Sequence, residues 1–407
     1  MTAWIDQPSH HAWLEAESQR LLSFGRRFPA PDGGAHWLDD DGAPDPVRPV
    51  FTWISARMAH VYALAHLRGT PGAGNLAARA LAGLTGPLHD HEHGGWFASA
   101  GPDGEVDDAK AAYAHAFVIL AASTCSVAEL PGARELLDEA LAVYLDRFWD
   151  EADGMARDGW DRAWTVLDEY RGVNANMHSV EAMLAASDAT GDPAWRARAL
   201  RIVTRVVDGW ARGNGWRIPE HFDSSWRPLL EYNADRPDDQ FKPYGATIGH
   251  GLEWARLTLH LHAALGDAAP TWMVDAAGEL YRRAVADGWA VDGAPGFVYT
   301  TDWSGTPVVR TRLHWVPAEA IGAAAALYLA TGDMAYDADY RRWWDYVATD
   351  VIDLDRGSWH HELDAENRPT ATVWPGKADL YHAYQATLVP RSPLTPGLAL
   401  SQRTGAV

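Results

Sequence analysis

The sequence of 407 residues is poor in cysteine and in basic residues, and it has no long apolar run. Its one cysteine, Cys125, excludes an intramolecular disulfide and a cysteine-based zinc site. Because 55 acidic residues outnumber 34 basic ones, the formal net charge is −21, which argues against nucleic acid and anionic membranes as partners. No apolar stretch approaches the roughly 18 residues of a membrane span. The N-terminus lacks the features of a secretion signal, so we expect a soluble, cytoplasmic protein.

Motifs that bind dinucleotides or phosphates, and the motif that carries a catalytic serine, are also missing from the sequence. No G-x-G-x-x-G follows a predicted strand, no glycine-rich phosphate loop precedes Lys-Ser/Thr, and no G-x-S-x-G turn occurs. The glycine-rich residues 245–249 are better explained as a tight turn into a helix. We therefore expect no cofactor.

A six-fold repeat organises the chain. A short segment that begins with glycine and carries aromatic residues and Asp recurs, with leading glycines Gly34, Gly95, Gly154, Gly215, Gly296 and Gly357. The separations of 61, 59, 61, 81 and 61 residues indicate six units, with about 20 extra residues in the fourth. Several segments alternate large and small residues around Asp-Gly or Asn, which is typical of β-hairpins.

Each unit has room for two helices between its hairpin and the next. The helix after each hairpin is rich in alanine and apolar on nearly every side, which predicts burial. These segments span residues 53–67, 109–123, 174–187, 247–265, 316–331 and 379–388. The helix before the next hairpin is amphipathic, as in residues 133–148, 194–210 and 340–351.

This alternation of buried and half-exposed helices predicts an all-α fold, an (α/α)6 barrel of six helix pairs with short β-hairpins at one end. No low-complexity linker interrupts the chain. We therefore predict one barrel domain over residues 1–391 and a flexible tail over residues 392–407.

Polar and aromatic side chains interrupt the apolar inner helices in their first turns, where the barrel opens. They are Arg57, Tyr113, His115, Asn174, Asn176, His178, Glu181, His250, Glu253, Trp315, Glu319, Asp379, His382 and Gln385. An unpaired buried polar group costs about 1–3 kcal/mol, so this pattern indicates a functional site. In His178-x-x-Glu181 and His250-x-x-Glu253 the two residues share a helical face, so the carboxylate is expected to orient the imidazole. We expect Asp379 to do the same for His382, whereas His115, His260 and His262 are interpreted as packing or surface residues.

Three other interpretations of this site remain open. A metal centre would draw on the histidines and glutamates, but Arg57 and Lys242 would oppose a cation, and we expect no metal. A glycoside hydrolase or lyase needs two carboxylates free of strong histidine partners, whereas Glu181 and Glu253 each follow a histidine. A non-catalytic sugar-binding module would use the many aromatics, among them 21 tryptophans, but it needs no histidine pair.

Three strings resemble the N-acylglucosamine 2-epimerase superfamily: NANMHSVE at residues 174–181, PYGATIGHGLEW at 243–254 and YHAYQ at 381–385. The resemblance covers essentially the whole chain and is strongest to the aldose–ketose isomerase branch. It implies an (α/α)6 barrel that acts on a free monosaccharide without a redox cofactor. The implied reaction interconverts D-mannose and D-fructose, and also D-lyxose and D-xylulose, through a cis-enediol. A 2-epimerase acting on mannose, cellobiose or N-acylglucosamine is the alternative, and the oligomeric state, a homo-oligomer included, is left open.

The resemblance also implies roles for individual residues. His250 and His382 correspond to the acid/base pair, with Glu253 as the third catalytic residue. Substrate-binding and supporting roles fall to Arg57, Tyr113, Asn174, His178, Trp315 and Glu319. His382 would move the proton between C2 and C1, and His250 would assist ring opening. The insertion within residues 216–243 lies where members differ in the loop over the site.

Overall fold

The computed structural model describes residues 2–405, so residue 1 of the predicted domain and residues 406–407 of the predicted tail lie outside it. The described residues form thirteen α-helices: α1 Pro8–Gly25, α2 Thr52–Leu67, α3 Ala73–Thr85, α4 Ala112–Val127, α5 Ala133–Val143, α6 Val173–Thr190, α7 Ala194–Val203, α8 Ile248–Leu265, α9 Met273–Gly288, α10 Trp315–Thr331, α11 Met334–Tyr346, α12 Tyr381–Leu388 and α13 Leu398–Thr404. None of these helices is both long enough and apolar enough to cross a bilayer.

The even-numbered helices from α2 to α12 form a closed inner ring. Each packs on the next, and α12 returns to α2. Nearly every side chain of α2, α4 and α10 is buried, because these helices contact neighbours on all sides. The odd-numbered helices up to α11 form the outer ring and bury one face only, as the 3–4 spacing of the buried residues in α5 shows. The predicted (α/α)6 barrel is confirmed.

The sixth outer helix comes from the N-terminus rather than from the last repeat. No amphipathic helix follows α12 as its partner; instead α1, which precedes the first hairpin, packs against α12. Three of the outer helices, α5, α7 and α11, continue into π-helical turns at Tyr144–Phe148, Thr204–Ala211 and Val347–Val351.

Sixteen short strands lie between the helices: β1 Trp37–Leu38, β2 Pro44–Asp45, β3 Val50–Phe51, β4 Ser99–Ala100, β5 Val106–Asp107, β6 Lys110–Ala111, β7 Trp149–Asp150, β8 Met155–Ala156, β9 Gly159–Trp160, β10 Arg171–Gly172, β11 His221–Phe222, β12 Ala246–Thr247, β13 Thr300–Thr301, β14 Pro307–Val309, β15 Arg312–Leu313 and β16 Glu362–Leu363. The strand that leads into an inner helix pairs antiparallel with the hairpin of the next repeat: β3 with β4, β6 with β9, β10 with β11, β12 with β13, and β15 with β16. Neighbouring repeats are therefore joined at the end of the barrel where the inner helices begin.

One backbone hydrogen bond recurs at these five junctions. The residue after the leading strand donates its N–H to the carbonyl of the residue just before the hairpin strand, as Val173 does to Glu220 at 3.0 Å. The accepting residues, which we call the mouth positions, are Ala98, Asp158, Glu220, Tyr299 and His361. This bond places one hairpin side chain of each neighbouring repeat beside the first turn of an inner helix.

The C-terminal segment differs from the flexible tail that the sequence predicts. Helix α13 packs against α2, α4 and α6 at the other end of the barrel, with Ser401 and Gln402 buried. Arg68 Nη1 donates to Gln402 Oε1 at 2.7 Å, and the Gly397 N–H donates to Asp188 Oδ2 at 2.7 Å. The prediction was wrong for this helix because a helix of seven residues is stabilised by tertiary contacts rather than by its own sequence.

Candidate active site

The first turns of the inner helices border one pocket at the hairpin end of the barrel. Its walls are formed by Arg57, Tyr113, Asn174, His178, Gln240, Phe241, His250, Glu253, Tyr299, His314, Trp315, His361, Trp374, Ala378, Asp379 and His382. The pocket and its mouth contain about 600 Å³ of empty space, part of it open to solvent. Of the nine predicted site residues, eight line this pocket, and Glu319 lies behind its wall.

Trp315 separates the two histidines of the predicted acid/base pair. Its ring centroid lies 5.4 Å from that of His250 and 5.7 Å from that of His382. The indole fits there because Gly249 has no side chain: a Cβ at this position would lie 2.1 Å from Trp315 Cζ3. Imidazoles from the fourth and sixth inner helices, the two neighbours of α10 in the inner ring, therefore border the same flat ring.

His382 is held by Glu319 and not by Asp379. His382 Nδ1 donates to Glu319 Oε1 at 2.9 Å, while Arg256 Nε donates to Glu319 Oε2 at 2.8 Å. An ionised carboxylate only accepts, so the proton is on Nδ1 and Nε2 is left as the free base. Burial, together with the charge of Arg57, lowers the pKa of His382 well below its usual value. Asp379 instead accepts from Arg57 Nη1 at 3.1 Å, so the predicted Asp379–His382 pair was wrong.

His250 is held by Glu220, a residue that the sequence did not suggest. His250 Nδ1 donates to Glu220 Oε1 at 2.9 Å, so in the neutral ring the lone pair is on Nε2. The predicted orientation of His250 by Glu253 was wrong, because Glu253 lies one turn deeper in α8, where Arg256 Nη2 donates to it at 3.4 Å. Glu220 occupies a mouth position, and the strand pairing of the repeats is the signal that would have found it.

Three buried glutamates surround Arg256 below the pocket. Burial and the nearby charge of Glu319 raise the pKa of Glu253 well above its usual value, which favours its protonated form. Burial acts in the same direction on Glu181, but interactions with His178, Arg256 and Tyr381 outweigh it and hold the pKa of Glu181 well below the usual range. The pKa values of these two neighbouring carboxyl groups are therefore shifted in opposite directions.

His178 faces this layer from above. Its Nδ1 lies 3.6 Å from Glu181 Oε2 and 3.9 Å from Glu253 Oε1, distances that allow electrostatic attraction but are too long for hydrogen bonds. Burial lowers the pKa of His178 to about 4, so the ring is neutral. The predicted proximity of His178 and Glu181 is confirmed, but the carboxylate does not hold the imidazole by a hydrogen bond.

Arg57 supplies a fixed positive charge in the pocket wall. Its Nη2 donates to the Tyr113 hydroxyl at 3.0 Å, and its guanidinium lies 4.4 Å from the Phe117 ring centroid and 4.7 Å from that of Tyr381. Asn174 Oδ1 is buried without a hydrogen-bond partner among the described residues. Both side chains are thus available to polar groups of a ligand.

Other polar residues of the inner helices are structural. Asn176 donates to the carbonyls of Ala156 and Gly172. His115 Nε2 accepts from the Trp96 N–H at 3.2 Å, in agreement with its interpretation as a packing residue. Gln385 lies below the pocket and donates to Glu181 Oε1 at 3.3 Å.

Two groups of side chains have the spacing of cation ligands, His178 with Glu181 and Glu253, and Glu253 with Glu319 and His382. Both groups depend on Glu253, whose raised pKa favours the protonated form and whose Oε1 accepts from Arg256. A cation would have to displace that proton beside a guanidinium. The donor set therefore fits a proton-transfer cluster better than a metal centre, and the expectation of no metal stays a prediction.

Comparisons with known proteins agree with this geometry. The family model of N-acylglucosamine 2-epimerase (GlcNAc 2-epimerase) matches residues 33–386. The chain is 53% identical over 401 residues to a D-mannose isomerase of Thermobifida fusca, covering 98% of both chains. It is 48% identical over 402 residues to a D-mannose isomerase of Pseudomonas cannabina pv. alisalensis, covering 98% of this chain and 96% of the relative. A crystal structure of D-mannose isomerase superposes with a TM-score of 0.88 at 26% identity, covering 96% of this chain and 99% of that chain.

Fold, site and sequence thus define an enzyme of the sugar isomerase and epimerase class. The chain belongs to the N-acylglucosamine 2-epimerase family, and the resemblance noted in its sequence is confirmed.

Proposed function

We propose that this protein interconverts D-mannose and D-fructose by proton transfer between C2 and C1. The observation that carries the proposal is the pair His250 and His382, which border one pocket on either side of Trp315 with Nε2 free. The two relatives named D-mannose isomerase, similar over nearly the full length, support this substrate. D-Lyxose has the same configuration at C2 to C4 and is proposed as a second substrate.

The first step opens the sugar ring. His250 Nε2 takes the proton of the C1 hydroxyl and passes it to the ring oxygen as the bond between this oxygen and C1 breaks, which leaves an aldehyde at C1 and a hydroxyl at C5. Glu220 supports His250 as the base of this step, because its carboxylate stabilises the imidazolium that forms when His250 takes the proton. Trp315 offers the open chain an apolar surface between the two bases.

The second step moves one proton along the carbon chain. His382 Nε2 removes the proton from C2, and the electron pair forms the C1–C2 double bond of a cis-enediolate while O1 becomes negative. His250 Nε2 then takes the proton of the O2 hydroxyl and passes it to O1, and the C2 carbonyl forms as His382 returns its proton to C1. The low pKa of His382 keeps it unprotonated and ready to accept.

Charge on O1 in the enediolate requires a stabilising partner. Arg57, whose guanidinium is held by Asp379 and Tyr113, is already oriented and needs no rearrangement as the charge develops. His178 lies in the same pocket wall and is the second proposed donor. An interaction of this kind is worth a few kcal/mol at the transition state.

Product analysis tests the proposal. D-Mannose is incubated with the enzyme, and early products are separated by chromatography, with and without a chelator. Fructose as the first product in both samples is expected. Glucose as the first product would show that the enzyme is a 2-epimerase and not an isomerase. Loss of activity with the chelator would support a metal centre in the site.

A variant tests the assignment of the base. His382→Ala should lose nearly all turnover while its thermal unfolding curve stays the same as that of wild type. His91→Ala changes an exposed loop histidine and is the control, which should have wild-type activity. If His382→Ala kept more than about a tenth of the activity, His382 would not be the base, because a general base contributes about 10²–10⁴-fold.

A further inference from the structure

His314 and His361 line the pocket, but the mechanism above gives them no role. His314 is the residue before α10, and its N–H donates to the carbonyl of His361, a mouth position, at 3.1 Å. The two rings are stacked, with centroids 3.7 Å apart and planes 12° apart. Only 8% of His314 and 5% of His361 is exposed. The stack therefore holds the His314 ring in one orientation against the pocket.

One nitrogen of His314 is a free acceptor. Its Nδ1 lies 3.3 Å from the His361 carbonyl oxygen, which only accepts, so Nδ1 carries the proton and Nε2 carries the lone pair. Nε2 is buried and has no hydrogen-bond partner among the described residues. Burial also lowers the pKa of His314 to about 4, so the ring stays neutral at neutral pH.

The position of His314 relative to His382, the proposed base, limits which atoms of the sugar it can contact. Its ring centroid lies 6.4 Å from that of His382, on the same pocket wall. Since His382 acts at C1 and C2, a group that reaches His314 belongs to a carbon further along the sugar. Hydroxyl groups are the donors that a sugar carries there, and a buried acceptor without a partner is costly unless a ligand satisfies it.

We propose that His314 Nε2 accepts a hydrogen bond from a sugar hydroxyl on C3, C4 or C6 and so selects the substrate. His361 is a positioning residue that holds the His314 ring by stacking and by its carbonyl. The proposal rests on the proposed function, because it takes a monosaccharide as the ligand of this pocket.

Two variants distinguish the effect of the Nε2 acceptor of His314 from the effect of its aromatic ring. His314→Phe keeps an aromatic ring for stacking on His361 and removes the nitrogen, and His314→Gln returns a polar group near the position of Nε2. His260→Phe is the matched control, because His260 also has a buried Nε2 without a partner but lies in the cavity at the opposite end of the barrel. We expect kcat/KM for D-mannose to fall about 5- to 10-fold in His314→Phe, to recover in part in His314→Gln, and to stay within twofold of wild type in His260→Phe.

Deoxy sugars then identify the bond. Each enzyme is assayed with D-mannose and with its 3-deoxy, 4-deoxy and 6-deoxy analogues. If His314 accepts from one hydroxyl, the effect of His314→Phe shrinks to less than twofold for the analogue that lacks this hydroxyl and stays full for the others. An effect of equal size for all four sugars, or no effect with D-mannose, would overturn the proposal.

The same cycle applies to binding and keeps the two proposals distinct. Absence of turnover in wild type would be a failure of the proposed function. Calorimetric titration of wild type and His314→Phe with D-mannose and the analogues would then still decide the role of His314. If His314→Phe does not fold, His314→Leu, which also removes the nitrogen, takes its place in the cycle. An equal effect of His314→Leu for D-mannose and all three analogues would again overturn the inference.

Discussion

The Glu220→Gln substitution should disable His250 while leaving its ring in place. Glu220 Oε1 accepts from His250 Nδ1 at 2.9 Å, and a carboxylate leaves the imidazole no other tautomer. An amide has a donor end as well, so glutamine can donate to Nδ1 and move the proton to Nε2, where the base is needed. Glu220 Oε2 has no hydrogen-bond partner among the described residues, so nothing there prevents the amide from turning its NH₂ group toward the ring.

The expected loss follows from the role of a general base, which contributes about 10²–10⁴-fold. We expect kcat for D-mannose to fall about 100- to 1,000-fold in Glu220→Gln, which corresponds to about 3–4 kcal/mol of activation free energy. Steady-state assays of fructose formation measure the loss, and thermal unfolding followed by circular dichroism shows that the fold is retained.

Glu253→Gln is the matched control for this substitution. Burial and the charge of Glu319 raise the pKa of Glu253 and favour its neutral form, which glutamine matches in shape and charge. We expect less than about a fivefold change in kcat, well below the effect of a lost base. If Glu253→Gln lost more activity than Glu220→Gln, the helical pair His250–Glu253 would be the functional one and our reasoning would be refuted.

Two further predictions concern packing and pH. Gly249→Ala should displace the Trp315 indole, because Cζ3 of the indole would lie 2.1 Å from the new Cβ. We expect kcat/KM to fall at least about tenfold while the circular dichroism spectrum stays unchanged. Unchanged kinetics would contradict the role of the indole. Burial lowers the pKa values of His60, His115 and His314 to about 4, 3 and 4, so below pH 6.5 the unfolded chain binds protons that the folded chain does not. Stability should therefore be full above pH 6.5 and decrease toward pH 4 by up to about 1.4 kcal/mol per pH unit for each histidine. Urea unfolding between pH 7.5 and 5 measures this, and a constant free energy of unfolding would refute it.

The fold could be predicted from the sequence because its signal repeats. Six glycine-led hairpins and six alanine-rich helices carry the same information several times, so an error in one unit is corrected by the others. The predicted start of the second inner helix at residue 109 is three residues early, because Lys110–Ala111 pair as a strand before the helix begins at Ala112. The partner of the last inner helix was not evident, because α1 is separated from α12 by nearly the whole chain.

Only those site residues that are recognisable within a single helix could be predicted from the sequence. His250, His382 and Arg57 stand out because they are polar residues on apolar helices. Their partners lie outside the helix that carries them, 30, 63 and 322 residues away, and spacing within one helix says nothing about such pairs. Glu220 and His361 are hairpin residues whose importance follows from the register between neighbouring repeats, which depends on the folded backbone.

The closure of the ring between α12 and α1 has a consequence for synthesis of the protein. Helix α1 precedes α12 by the length of the barrel, so it is synthesised long before the helix that it packs against. A nascent chain that stops before Asp379 and His382 has most of its hydrophobic core but lacks the residue that we propose removes the proton from C2. Such a chain leaves the ring open and exposes apolar helix faces that cellular quality control can detect.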